Sequence, residues 1–186
     1  MKQTILFLLI LTFIFIGCNK KENYKDISDE YKKYFLFKEG SSWIYFNSKI
    51  NNKDSIILHN INSIATKPDN GCSEYRYEYK MQFTSVTTGT LFHSQTNCIK
   101  STELNDGLCS AVITAPPQLP TQLIDTYFVD TLMFLRVLAY SSFDTVNHRT
   151  VFCAYAPNVG RIKSFEILNG DTIANYKIIR YHVSPY

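Results

Sequence analysis

The chain has 186 residues, a formal net charge of +3 and an aromatic content of 15%. This length suits one domain of ordinary size, and the aromatic content argues against a disordered chain. A charge so close to neutral provides no strong positive field, which argues against nucleic acid as a partner. Thirteen Tyr and thirteen Phe against seven Gly favour a packed, β-rich fold instead.

The first eighteen residues have the pattern of an export signal. Lys2 provides the positive charge near the N-terminus, and residues 5–16 form an almost continuous apolar run. The small residue Gly17 then precedes Cys18. The run is too short for a membrane-spanning helix, which needs about 20 apolar residues. An ordinary secretory signal, cleaved so that Cys18 lies near the new N-terminus, is the alternative.

Residues 15–18, with the sequence FIGC, resemble the signal of bacterial lipoproteins, which are cut before a cysteine that is then lipidated. The resemblance implies a signal peptide over residues 1–17 and a tether over residues 18–25. It also implies that fatty-acid chains such as palmitate anchor Cys18 to a membrane, for which two acyl chains suffice. Asn19 stands where an Asp retains such proteins in the inner membrane of some bacteria, so the implied location is the outer membrane of the cell envelope.

Disulfide bonds are expected, because four cysteines remain besides Cys18 in a chain predicted to be exported. They are Cys72, Cys98, Cys109 and Cys153, and they allow three connectivities. We favour Cys98 with Cys109, because the Asn-Asp-Gly turn signal at residues 105–107 would bring the flanking segments side by side. Buried free thiols are the alternative. No two of these cysteines have the short spacing of a zinc knuckle, so no metal site is expected.

A short helix and a hairpin are predicted near the start of the mature chain. Residues 26–35 combine candidate helix caps with aromatic side chains at helical spacing, which predicts a helix that stops by Gly40. Residues 43–46 and 55–65 are rich in aromatic and β-branched side chains, and residues 51–54 between them have the composition of a turn. The two segments are therefore predicted to form a β-hairpin.

Residues 74–83 alternate without a fault between apolar and polar side chains. This period of two predicts a strand of an antiparallel sheet, with one face on a core and the other in water. The apolar face carries Tyr75, Tyr77, Tyr79, Met81 and Phe83. Our preferred interpretation is core packing of this face, with Arg76 on the wet side. The alternative is that the three tyrosines face a ligand, since Tyr has an apolar body and a hydroxyl tip.

The remaining chain is predicted to be strands joined by short turns. Extended segments are expected at 91–100, 111–115, 149–156, 161–168 and 173–183, with the hairpin signal Asn169-Gly170 before the last one. Residues 123–140 suit either helix or strand, and strand is favoured. The predicted fold class is all-β: a single domain over residues 26–186 whose antiparallel meander sheet forms a half-closed barrel or sandwich with one short N-terminal helix.

Two segments of the mature chain resemble a group of uncharacterised β-rich envelope lipoproteins. The opening segment is FLFKEGSSWIY at residues 35–45, and the closing segment is YAPNVGRIK at residues 155–163. In this group a Gly-x-x-Trp-x-Tyr stretch starts the sheet, and a Tyr-Ala-x-x-Val-Gly stretch leads into the final hairpin. The resemblance implies an exported β-rich domain and carries no activity with it.

No catalytic motif stands out in the sequence. The four histidines, His59, His93, His148 and His182, lack the short spacing typical of a metal site. Asp125, Asp130 and Asp144 are candidates for the carboxylate pair of a glycosidase, and roles in turns and strand ends are the simpler interpretation. We therefore predict no catalytic residue, no metal and no cofactor.

Two function classes remain open. The first is a non-enzymatic binding or interaction module that is anchored through Cys18 and holds a lipid, a glycan or another envelope protein. The second is a small envelope hydrolase. The aromatic strand and the lack of a catalytic pairing favour the binding module.

Overall fold

The computed structural model describes residues 24–68, 75–98, 101–105, 110–114 and 121–186. These residues form antiparallel strands and one short helix, α1 (Asp29–Phe35), so the predicted all-β meander is confirmed. The strands are β1 (Ser42–Asn47), β2 (Asn52–Thr66), β3 (Arg76–Ser85), β4 (Leu91–Cys98), β5 (Ser101–Asn105), β6 (Ser110–Thr114), β7 (Thr121–Val129), β8 (Leu132–Asp144), β9 (Arg149–Ala156), β10 (Gly160–Leu168) and β11 (Asp171–His182).

All eleven strands belong to one sheet, in the order β6-β5-β4-β3-β2-β1-β11-β10-β9-β8-β7. Strands β1 to β6 form one meander, and strands β7 to β11 form a second one. Antiparallel pairing of β1 with β11 joins the two meanders at the centre of the sheet. The first and last strands of the chain therefore lie side by side, while β6 and β7 are the two edge strands.

The covalent link between the edge strands requires the sheet to curl. In a flat sheet, eleven strands spaced by ~4.8 Å would put their edges ~48 Å apart. Seven residue steps join Thr114 of β6 to Thr121 of β7, and such a segment reaches ~25 Å at most. The sheet must therefore bend toward itself. Within the described ranges the two edge strands do not pair with each other, so the sheet is open and curled rather than closed.

Glycine and asparagine account for the tight connections in the second meander. Asn169 and Gly170 have positive φ angles of 51° and 87°, which suit a type I′ turn at the hairpin predicted between β10 and β11. Gly160, at the start of β10, also has a φ of 87°. A Cβ atom there would lie 3.2 Å from the Phe37 ring and 3.3 Å from Trp43 Nε1. Glycine thus lets β10 approach these aromatic side chains closely.

Helix α1 links the start of the domain to β8. Its first turn carries Asp29 and Glu30 and its last turn carries lysines, a distribution that favours the helix dipole at both ends. The Glu30 carboxylate forms an ion pair with Arg136 of β8. The Tyr34 hydroxyl donates a hydrogen bond to the backbone carbonyl of the same arginine at 2.5 Å.

Strand β8 is irregular at Arg136, which has a positive φ of 55°. The pairing of β7 with β8 skips Asp125 and Arg136, and β8 pairs with β9 only from Leu138 onward. The end of the β7–β8 hairpin, residues 126–135, therefore extends beyond β9. We call this part the hairpin tip. It packs back onto the sheet, because the Tyr127 ring stacks on Phe152 of β9 with 6.4 Å between centroids.

The main core is formed where the segment around α1 packs on the sheet. It combines Ile27, Leu36 and Phe37 with large side chains from the first three strands: Trp43, Tyr45, Ile56, Leu58, Tyr79, Met81 and Phe83. A smaller cluster contains Tyr34, Phe35, Leu138, Cys153 and Tyr155. Helix α1 thus contributes to the smaller cluster, and the residues on either side of it contribute to the main core.

Strand β3 departs from the predicted alternation at its beginning. Tyr79 and Met81 are buried as expected, but Tyr77 is 39% exposed. Arg76 is 3% exposed and Glu78 is 9% exposed. The prediction that Arg76 lies on a wet face is therefore wrong, and so is the prediction that Tyr77 is a core residue. An ion pair of 2.5 Å between Arg76 Nη2 and Glu78 Oε1 accounts for the burial of both charges.

Candidate functional site

The opening and closing segments contact each other directly, although their residues are more than 100 positions apart in sequence. The Trp43 indole nitrogen donates a hydrogen bond to the Val159 carbonyl. The Tyr45 hydroxyl donates to the Arg161 carbonyl at 3.0 Å. Since the donors come from one segment and the acceptors from the other, the fold unites the two segments in one packed unit.

A cavity of about 40 Å³ remains beside this unit. Aromatic side chains line it together with Arg161, which is 3% exposed and whose guanidinium lies 4.4 Å from the centre of the Tyr45 ring. Such a volume holds a few water molecules and is far below the ~300–1,000 Å³ typical of small-molecule sites. This cavity is a feature of the packed core and has no room for an acyl chain or a sugar.

The three tyrosines considered as ligand-facing are in contact with the N-terminal segment. Tyr79 is 4% exposed, and its hydroxyl donates to the Asp26 carboxylate at 2.9 Å. The rings of Tyr75 and Tyr77 lie 5.5 and 5.6 Å from the Tyr24 ring. The backbone just after Tyr24 pairs with the start of β3. A ligand-facing role for these tyrosines stays a prediction.

The environment of Tyr79 predicts a loss of stability at high pH. Burial, and then the hydrogen bond and negative charge of Asp26, raise the pKa of Tyr79 above its usual value near 10. The folded state therefore holds this proton longer than the unfolded chain, so the stabilisation is complete below pH ~10 and is lost as the pH rises above it. We expect the free energy of unfolding to fall there by up to about 1.4 kcal/mol per pH unit from this group.

Urea denaturation between about pH 8 and about pH 11 measures this dependence. In Tyr79→Phe the contribution of this hydroxyl to the slope should disappear. Phe143→Ala, at an exposed side chain that does not titrate, is the control and should retain the wild-type slope. Equal slopes in wild type and Tyr79→Phe would contradict the prediction.

A second concave site, of about 230 Å³, lies beside the hairpin tip. We call it the polar cleft. Its charged lining consists of Lys163 from β10, Lys177 from β11 and Asp130 from the hairpin turn, and Asp130 Oδ2 is 2.6 Å from Lys177 Nζ. The other lining residues are Ser48, Phe128, Val129 and Asn175. The volume lies just below the usual range of small-molecule sites.

The register of the sheet places the two lysines of the polar cleft side by side. Lys163 and Lys177 are direct cross-strand partners, so their side chains share one face. On β1, Phe46 is the cross-strand partner of Lys177, and its ring lies 5.5 Å from Lys177 Nζ. The turn after β1 is held against β11 because the Ser48 amide donates to the Asn175 carbonyl at 3.0 Å. The hairpin tip supplies the remaining wall.

Most side chains considered for catalysis lie outside the polar cleft. The four histidines are exposed and do not line it, and Asp125 is exposed in β7. Asp144 caps a turn: it accepts a hydrogen bond from Asn147 Nδ2 at 2.7 Å, and this bond together with backbone amides lowers its pKa. Asp130 alone of the three aspartates lines the cleft. Within the described residues no three His, Cys, Asp or Glu side chains gather into a metal site.

Two of the five cysteines lie in described strands. Cys153 is fully buried in β9 and is disulfide-bonded. Cys98 ends β4 opposite Ser101. The predicted positions Cys18, Cys72 and Cys109 lie outside the described residues. The lipidation site and the Cys98–Cys109 pairing therefore stay predictions.

In the described part of the chain, no helix is both long and apolar enough to cross a membrane. Comparison with known proteins finds no matching family model, and no curated protein or solved structure matches the chain. The resemblances to lipoproteins noted in the sequence therefore stay predictions.

Asp130 of the polar cleft was among the candidates predicted from the sequence, whereas the two lysines of the cleft were not. Each lysine is one of several charged residues in its strand, which is ordinary for a strand with one wet face. Counting outward from the Asn169-Gly170 turn would place Lys163 opposite Tyr176. An extra residue in β11, Ile173, shifts the register by one and brings Lys177 opposite Lys163 instead. Such a bulge has no clear signature in the sequence.

Proposed function

We propose that the chain is a membrane-anchored lipoprotein of the cell envelope that acts as a non-enzymatic binding module for a glycan. The polar cleft is the observation that carries this proposal. It gathers ammonium groups, a carboxylate, an amide and a hydroxyl around a space close in size to a small-molecule site. The exposed ring of Phe128 at its border offers an apolar surface for the flat face of a sugar.

A glycan suits the described geometry better than the other ligands considered. An acyl chain needs a long apolar cavity, whereas the cavity in the core measures about 40 Å³ and the larger cleft is mostly polar. The alternative of an envelope hydrolase gains no support from the histidines, which line neither concave site. The cleft therefore supports binding rather than hydrolysis.

The anchor is tested by labelling cells with a fatty acid that can be detected on protein. We expect the wild-type chain to carry the label, because residues 15–18 resemble a lipoprotein signal. The variant Cys18→Ser should carry no label and should remain uncleaved or become soluble, since the acceptor sulfur is gone. Label on Cys18→Ser at the wild-type level would refute the anchor.

Binding is tested by titrating the purified full-length protein with soluble fragments of envelope polysaccharide and following backbone NMR signals. Signals of residues in the polar cleft should shift when the ligand binds. The variant Ser48→Trp should abolish these shifts, because the indole fills the cleft. Val146→Trp, at an exposed turn outside the cleft, is the matched control and should bind as wild type does. Shifts that survive Ser48→Trp would refute this site. Release of new reducing ends from the fragments would instead support the hydrolase.

A further inference from the structure

We infer that the polar cleft selects a ligand with an anionic group, a carboxylate or a phosphate, and that this group pairs with the ammonium of Lys163. The inference rests on the proposed binding function and specifies the ligand for the same site. It assigns separate roles to the two lysines: Lys177 is part of the structure of the cleft, and Lys163 binds the ligand.

The distribution of charge in the cleft supports this assignment. The Lys177 ammonium has two neighbours, the Asp130 carboxylate at 2.6 Å and the Phe46 ring at 5.5 Å. Lys163 lies directly opposite Lys177. It forms no ion pair with any described residue. With two ammonium groups and one carboxylate, the lining carries one positive charge in excess. Like charges on directly opposed residues destabilise a sheet, and an anion beside Lys163 would relieve that repulsion.

The position of Lys163 adds to the strength of such a contact. Its side chain is half-buried and faces a concave surface, where an ion pair is less screened by solvent than on an open face. An ammonium paired with a carboxylate or phosphate makes short, charge-assisted hydrogen bonds. The Asn175 amide and the Ser48 hydroxyl line the same cleft and can hold neighbouring hydroxyl groups of the ligand.

The walls of the cleft are fixed before a ligand arrives. The ion pair of Asp130 with Lys177 ties the hairpin turn to β11. The stack of Tyr127 on Phe152 continues to Phe165, whose ring lies 5.0 Å from Phe152, and ties the hairpin tip to β9 and β10. Because these contacts do not involve Lys163, its substitution should leave the shape of the cleft intact. A change in binding on substitution of Lys163 can therefore be attributed to its ammonium group.

The test uses three sugars that share one ring and differ at a single position: glucose, glucuronate and glucose 6-phosphate. The purified full-length protein is titrated with each one, and NMR signals of the cleft are followed. We expect the preferred anionic sugar to bind at least about tenfold more tightly than glucose, which corresponds to one charge-assisted hydrogen bond. A preference for glucuronate would identify a carboxylate ligand, and a preference for glucose 6-phosphate would identify a phosphate ligand.

Variants then assign the effect to Lys163. Lys163→Met should remove the preference for the anionic sugar, and Lys163→Arg should keep it, because it retains the charge. Lys80→Met, on the exposed face of β3, is the matched control and should bind as wild type does.

Equal binding of all three sugars in the cleft would overturn the anionic specificity and leave the proposed glycan binding intact. Binding of the anionic sugars that persists in Lys163→Met would overturn the role of this lysine. If neither these sugars nor the polysaccharide fragments shift cleft signals, the inference and the proposed function fail together.

Discussion

Replacing Arg76 with Ala should lower the free energy of unfolding by about 3 to 5 kcal/mol, although Arg76 lies on the strand face that the sequence pattern marks as wet. The change removes one partner of a buried ion pair and leaves the Glu78 carboxylate, 9% exposed, without the guanidinium 2.5 Å away. It also removes the donor to the Lys67 carbonyl. Urea denaturation followed by far-UV circular dichroism measures the change.

The matched control is the next residue on the same strand. Tyr77→Ala should cost about 1 kcal/mol, since the side chain is 39% exposed and its described ring contact is with Tyr24. The double variant Arg76→Met with Glu78→Leu should recover most of the loss, because apolar side chains then replace both members of the buried ion pair. A larger loss for Tyr77→Ala than for Arg76→Ala would contradict the buried ion pair and favour the alternation predicted from sequence.

Replacing Trp43 with Ala should also cost about 3 to 5 kcal/mol, the range for truncating a large buried aromatic side chain. Trp43 is 3% exposed, and its ring packs against Phe37 at 5.3 Å and Phe83 at 6.0 Å. Its indole nitrogen also satisfies the Val159 carbonyl of the closing segment. The variant has no tryptophan left, so circular dichroism rather than fluorescence should follow its denaturation.

Trp43→Phe separates the packing from the hydrogen bond. It retains most of the apolar contact and leaves the Val159 carbonyl without its indole donor, so we expect an intermediate loss of about 1 to 3 kcal/mol. Phe143→Ala, at a side chain that is 61% exposed, is the control and should change the stability by no more than about 0.5 kcal/mol. Similar losses at Trp43 and Phe143 would contradict the central packing role of the tryptophan.

The contact between the opening and closing segments gives these residues a structural role. Trp43 and Tyr45 each donate to a backbone carbonyl of the closing segment. Gly160 is needed where that segment passes Phe37 and Trp43, because a Cβ atom would lie within 3.3 Å of the indole. Trp43, Tyr45 and Gly160 are thus explained by packing, whereas Lys163, the last residue of the closing segment, lines the polar cleft.

The elements that local sequence specifies were predicted well. Runs of strand-type residues bounded by turn signals identified the last three strands of the second meander, and Asn169-Gly170 identified the turn between the last two, because both signals depend on neighbouring residues alone. The helix was predicted over residues 26–35 and spans Asp29–Phe35. Residues 101–105 form β5, which was not predicted because no clear alternation marks so short a segment.

The burial of each strand face was decided by tertiary structure. A period of two shows which residues share a face, but whether that face is dry depends on the segments that pack on it. In β3 the first residues reverse the prediction, since Arg76 is buried with Glu78 and Tyr77 is exposed. A bulge likewise brings Lys177 opposite Lys163, and the hairpin turn contributes Asp130 from a distant part of the chain. The sequence by itself thus determined the strands and their turns, whereas strand register and the packing of remote segments created the buried ion pair and the polar cleft.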